Sequence, residues 1–83
     1  MSNRLRVFAM PGEVTQHVEI VVNGDNKTVP AGLTVLELLA ELGVSPERVA
    51  IELNRSIVRR PNWSAVRIEA GAQIEIVQFV GGG

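Results

Sequence analysis

The chain has 83 residues but no cysteine, no tyrosine, one histidine (His17), one tryptophan (Trp63) and two phenylalanines (Phe8 and Phe79). Without cysteine there is no disulfide, no thiol nucleophile, no iron–sulfur cluster and no thiolate-bound zinc. A metal site would need carboxylates gathered around the one imidazole, and no Asp or Glu stands at a ligand spacing from His17. No metal is expected, and His17 reads as a solvated residue at the start of a strand. The serines Ser2, Ser45, Ser56 and Ser64 have no second histidine to draw on, and none lies in a Gly-x-Ser-x-Gly turn. These absences argue against an internal catalytic centre, so the chain is read as a non-enzyme with no bound cofactor.

Charge of one sign is also missing: eight Lys and Arg face nine Asp and Glu. No basic cluster is long enough to follow a phosphate backbone, which argues against nucleic acid as a partner. The apolar runs are far shorter than the roughly 20 residues of a membrane-spanning helix, and no N-terminal apolar block precedes a small-residue cleavage site. A cytoplasmic protein with no membrane contact is expected. Hydrophobic residues nonetheless make up 46% of the chain, so a small core of Val, Ile, Leu and Ala is within reach of a single domain.

Residues 1–16 mix charge with scattered apolar residues around Pro11-Gly12, show no sustained period, and are expected to form a flexible arm. From His17 the pattern tightens. Val18-Glu19-Ile20-Val21-Val22 predicts a strand, Asn23-Gly24-Asp25-Asn26 supplies turn chemistry, and Lys27-Thr28-Val29 predicts the returning strand, which Pro30 and Gly32 bring to an end. Thr34 and Glu37 form a capping box, Leu33 and Leu38 a hydrophobic staple, and Gly43 a C-terminal cap. Between them, Val35, Leu38, Leu39 and Leu42 fall on one helical face, with Glu37 and Glu41 outside it. Ser45-Pro46-Glu47 predicts a short turn and Val49–Leu53 a third strand with Val49, Ile51 and Leu53 inward. Residues 55–68 read as loop and short strand, Ala70-Gly71 as a turn, and Gln73–Phe79 as the final strand. One helix on one face of a mixed four- to five-stranded sheet is the α+β, β-grasp (ubiquitin-like) arrangement. The expected layout is an arm over 1–16, a domain over 17–79 and a flexible tail over 80–83.

The last residues, Val80-Gly81-Gly82-Gly83, follow that final strand directly. Glycine has maximal backbone freedom and no side chain to pack, and Val80 to Gly83 would reach at most about 13 Å when extended. Such an arm suits threading into a narrow channel of another protein, with Val80, Gly81 and Gly82 as the threaded residues and the Gly83 carboxylate at the tip. A carboxylate is a poor acyl donor until activated. Adenylation by a partner enzyme using ATP followed by attack of a sulfur nucleophile gives a thiocarboxylate, and in a chain without thiols the terminal carboxyl carbon is the one atom suited to hold sulfur. The competing account is an inert terminus. If Ile74 and Ile76 face the helix, Val77 and Phe79 point away from it. Together with Val21 they form a candidate docking surface for the activating enzyme, against which stand simple surface apolarity and cover by the N-terminal arm.

From Val18 to Gly83 the sequence resembles the ThiS family of sulfur carriers of thiamin thiazole biosynthesis. The matching stretches are Val22-Asn23-Gly24, Thr34-Val35-Leu36-Glu37-Leu38-Leu39, Glu52-Leu53-Asn54, Ile57-Val58, Arg60-x-x-Trp63, and Gly71-Ala72-Gln73-Ile74-Glu75-Ile76-Val77 with the Gly-Gly end. Ala72 departs from the more usual Asp, and the residues before Val18 have no counterpart. The resemblance implies that a ThiF-like or E1-like adenylyltransferase activates Gly83, that a sulfur donor such as a cysteine desulfurase supplies the sulfur, and that a ThiG-like thiazole synthase accepts it. Trp63 is read as a packed ring, and Arg59 and Arg60 as solvated charge. Three alternatives stay open: a MoaD-like small subunit of molybdopterin synthase, a protein modifier that forms isopeptide bonds, and a non-catalytic β-grasp interaction module.

Overall fold

The structure is a computed structural model that describes residues 16–79. Its elements in chain order are β1 (His17–Val22), β2 (Asp25–Pro30), helix α1 (Val35–Leu42), β3 (Val49–Leu53), β4 (Ser56–Val58) and β5 (Gln73–Gln78), with single 3-10 turns at Pro46–Arg48 and Arg60–Asn62. The strands form one sheet in the order β2-β1-β5-β3-β4. All neighbours are antiparallel except β1 and β5, which run parallel. A parallel pair requires a crossover, and the helix occupies it. This is the expected β-grasp fold with five strands.

The first hairpin is tighter than its sequence predicts. Val22 pairs with Asp25 across a two-residue turn, and Asn23 (φ 50°) and Gly24 (φ 85°) both take positive φ, as a primed hairpin turn demands. Asp25 and Asn26, expected within the turn, belong to β2. Pro30 pairs opposite His17 at the end of an edge strand, where a missing N–H is tolerated. Gln16 falls within the expected arm, yet its carbonyl accepts the Ala31 N–H at 3.1 Å and extends this pairing. The rest of the arm lies outside the described residues.

Helix α1 is built as its capping residues dictate. The Thr34 hydroxyl accepts the Glu37 N–H at 3.1 Å, and the Glu37 carboxylate accepts the Thr34 N–H at 2.9 Å. Gly43 stops the helix at φ 72°, and the Val44 N–H closes back onto the Leu39 carbonyl at 2.8 Å. Val35, Leu38 and Leu39 are buried against Ile20, Val22 and Val29 from the first hairpin and Val49, Ile51 and Ile74 from the other strands. Two N–H groups at the start of the helix find partners outside it: Val35 donates to Val66 at 2.9 Å and Leu36 to Trp63 at 3.0 Å. The loop between β4 and β5 therefore completes the helix start as well as connecting strands.

Trp63 is 3% exposed, and its indole Nε1–H donates to the Val58 carbonyl at 2.7 Å, which bears out the packing role. Arg60 lies over its ring at 4.7 Å and also donates to the Glu47 carbonyl at 3.3 Å. One hairpin is not apparent from the sequence: Leu53 pairs with Ser56 across Asn54 (φ 51°) and Arg55 (φ 72°). Arginine is a poor occupant of this left-handed region, because its Cβ approaches the following carbonyl.

Two stability effects follow. Thr34→Ala is expected to cost about 1 kcal/mol, measured as a lower denaturant midpoint with unchanged slope. Arg55→Gly is expected to stabilise by up to about 1 kcal/mol, the strain relieved outweighing the added freedom of the unfolded chain. A rise of roughly 4–8 °C in melting temperature per kcal/mol suits a domain of this size; a fall in melting temperature would contradict the turn assignment.

Candidate functional site at the exit of strand β5

Strand β5 lies at the centre of the sheet. Its inner residues are Ile74, which is 1% exposed, and Ile76, which is half-buried. On the opposite face, away from the helix, Val77 is 56% and Phe79 57% exposed. The alternation anticipated for this strand is therefore present, and these two apolar side chains stand in solvent for want of a covering element among the described residues.

Register decides what surrounds them. Val77 pairs with Ala50 of β3, Glu75 pairs with Glu52, and Glu52 in turn pairs with Ile57 of the edge strand β4. Ile57 is 72% exposed. Ala50, Glu52, Ile57, Glu75 and Val77 line one shallow depression of about 280 Å³. Val21 is on the same face but half-buried and opposite Gln73, at the other end of β5 from Phe79. The structure thus groups Val77 with Ala50 and Ile57, and sets Val21 apart from them.

Ala50 and Ile57 give no sequence signal, for different reasons. Ala50 is too small to announce a contact, and Ile57 sits in a three-residue strand whose alternation is too short to assign a face. The depression is mixed in character, with apolar Ala50, Ile57 and Val77 beside the carboxylates of Glu52 and Glu75. Such a surface is complementary to a partner presenting apolar side chains together with positive charge.

The chain leaves this face under close control. The Phe79 N–H donates to the Arg48 carbonyl at 2.8 Å, which carries the β3–β5 pairing one residue past Gln78. Val80, Gly81, Gly82 and Gly83, assigned from sequence to the threaded tail and the reactive carboxylate, lie outside the described residues. No three His, Asp or Glu side chains cluster among the described residues, and no helix among them is long and apolar enough to cross a membrane.

The sequence profile of the ThiS family matches residues 6–83. The sulfur carrier protein ThiS of Escherichia coli (strain K12) is 33% identical over 66 residues, a stretch covering 80% of this chain and 100% of that protein. A thiazole synthase from Paramagnetospirillum magneticum is 41% identical over 66 residues, and there the chain spans only 20% of the relative's length. Among solved structures, the thiamine biosynthesis protein (ThiS) of Geobacter metallireducens is similar with a TM-score of 0.71 at 36% identity, over 80% of this chain and 100% of that one. A profile match that runs through nearly the whole sequence, joined to the same fold at this level of identity, places the chain in a single family: it belongs to the ThiS family.

Proposed function

We propose that this protein is a sulfur carrier for thiazole formation in thiamin biosynthesis, loaded at the carboxylate of Gly83. The observation that carries the reading is the family match extending through Gly83, together with the full span of the E. coli sulfur carrier within this chain. The chain acts as a co-substrate, and the catalysts are its partners.

The chemistry runs in two displacements. On an E1-like (ThiF-like) adenylyltransferase, a Gly83 carboxylate oxygen attacks the α-phosphorus of ATP; pyrophosphate leaves and an acyl adenylate forms. A sulfide nucleophile, released from the persulfide of a donor such as a cysteine desulfurase by a thiol reductant that is itself oxidised to a disulfide, then attacks the acyl carbon. The carbon–oxygen bond to AMP breaks, AMP departs, and the thiocarboxylate remains. Gly81 and Gly82 serve this by carrying no Cβ, so that the peptide behind the carboxylate passes where a side chain would collide. Exposed Val77, Phe79 and Ile57, with half-buried Ala50 beside Val77, serve as the docking surface for the adenylating enzyme, and Val21 at the far end of β5 stands apart from it.

Support for the acceptor comes from the relatives. In the Paramagnetospirillum thiazole synthase a segment resembling this chain makes up a fifth of the protein, which supports a thiazole synthase as the enzyme that receives the sulfur. The same likeness favours thiazole formation over the molybdopterin alternative.

Intact-mass measurement after incubation with ATP, a sulfide donor and the cognate adenylating enzyme is expected to show a gain of about 16 Da, sulfur having replaced oxygen. Deleting Gly83 abolishes that gain and leaves the melting temperature unchanged. An unmodified mass in the presence of an adenylating enzyme of demonstrated activity would leave an inert interaction module as the better reading. For the docking surface, Val77→Asp is expected to lower kcat/KM for adenylation by about tenfold, equivalent to about 1.4 kcal/mol, mainly by raising KM. Wild-type kinetics in that variant would remove Val77 from the interface.

A further inference from the structure

The Asn23-Gly24 turn is explained by its backbone, but the Asn23 side chain does more than a turn requires. Strand β1 ends at Val22 and the chain doubles back into β2, so the bond from the Asn23 N–H of the turn to the Ile74 carbonyl, at 2.9 Å, is the last backbone bond on this edge of β5 among the described residues. The Asn23 carboxamide takes the next position on that edge. Its Oδ1 accepts the Ile76 N–H at 2.7 Å and its Nδ2 donates to the Ile76 carbonyl at 3.2 Å. A carboxamide offers the same donor and acceptor as a peptide group, so this side chain replaces one residue of a neighbouring strand that has turned away.

Asn23 therefore lengthens the part of β5 that is held from both sides. Beyond Ile76, among the described residues, only β3 accompanies the strand, through the Ala50–Val77 and Val49–Gln78 pairs and the bond from Phe79 to Arg48. Ile76 is thus the last residue of β5 secured on both edges by the described residues. The reach of residues 80–83 is short, at most roughly 13 Å. A root displaced by a few ångström forfeits a sizeable part of that reach, and misplacement by about 1 Å at a reacting group can cost on the order of 100-fold in rate.

We propose that Asn23 is a positioning residue for carboxylate loading: by closing the edge of β5 at Ile76, its side chain sets where the strand leaves the sheet and hence how Gly83 meets the adenylating centre. The inference rests on the carrier reading above. The fold supplies a matched comparison in Asn54, which has φ 51°. Its N–H donates to the Gln73 carbonyl at 2.7 Å, and its Oδ1 accepts the Gln73 N–H at 2.9 Å. The side-chain chemistry is alike, but it acts at the start of β5, at the far end from Phe79.

The test compares Asn23→Gly with Asn54→Gly in the full chain. Glycine accepts positive φ at both sites, so both turns survive. Adenylation is followed by pyrophosphate exchange and loading by intact mass, at a temperature where both variants are folded. Amide hydrogen exchange is read at Ile76 and Gln73. Asn23→Gly is expected to lower kcat for adenylation about tenfold with KM little changed, and to speed exchange at Ile76. Asn54→Gly is expected to speed exchange at Gln73 and stay within about twofold of wild-type kinetics. Asn23→Asp keeps the acceptor for the Ile76 N–H but loses the donor, and should fall between wild type and Asn23→Gly. Equal losses in the two glycine variants would reduce the effect to stability and overturn the proposal. So would wild-type kinetics in Asn23→Gly despite faster exchange at Ile76. A wild-type chain that gains no sulfur under these conditions removes the carrier reading itself, and the role of Asn23 with it.

Discussion

Backbone pairing of β5 on both edges is the constraint on which the other features depend. Its parallel neighbour β1 starts the domain and its antiparallel neighbour β3 follows the helix, so the last strand joins two units that are separate in sequence. Long-range pairing of this kind becomes favourable only when side chains repay the loop-closure entropy. Here Ile74 does so beneath the helix, 1% exposed among Ile20, Val22, Ile51, Leu38 and Leu39. A strand paired on both edges is anchored more firmly than one at the edge of a sheet, which suits the proposed handling of the residues beyond it by partner enzymes.

The two faces of β5 divide the work. Inward residues hold the domain together, while outward residues Val77 and Phe79 leave an apolar surface beside the outgoing chain. A protein of this size has few apolar side chains to spare for solvent, and here three on one face, Ile57, Val77 and Phe79, are exposed, with half-buried Ala50 beside Val77. On the proposed function, their position on β5 connects docking with chemistry: an enzyme seated on that face lies against the strand that precedes residues 80–83 in sequence.

Asparagine completes the arrangement twice. Asn23 and Asn54 both take positive φ in hairpin turns, and both use the side chain to pair with β5. The turn preference of asparagine is readable from the chain, since Asn-Gly between apolar runs predicts a primed turn. Its second use is not, because the bond to Ile76 crosses 53 residues of sequence. The Asn54-Arg55 hairpin is hidden for another reason: Arg55 gives no turn signal, and only the pairing of β4 with β3 compels its left-handed backbone.

Local rules carry the sequence a long way. The capping box at Thr34 and Glu37, the Gly43 stop, the period of Val35, Leu38 and Leu39, and the alternation of β1, β3 and β5 are interactions between residues within a few positions of one another, so the linear chain by itself displays them. The same holds for the absence of thiols and for the glycine run over residues 81–83. Tertiary structure alone decided the register, and with it the grouping of Val77 with Ala50 and Ile57, the separation of Val21, the Trp63 bond to Val58 and the hold of Asn23 on Ile76. The physical reason is that sliding one strand past another changes which side chains become neighbours while leaving each strand's own pattern intact, and the choice among those slides is made by the packing of the whole core.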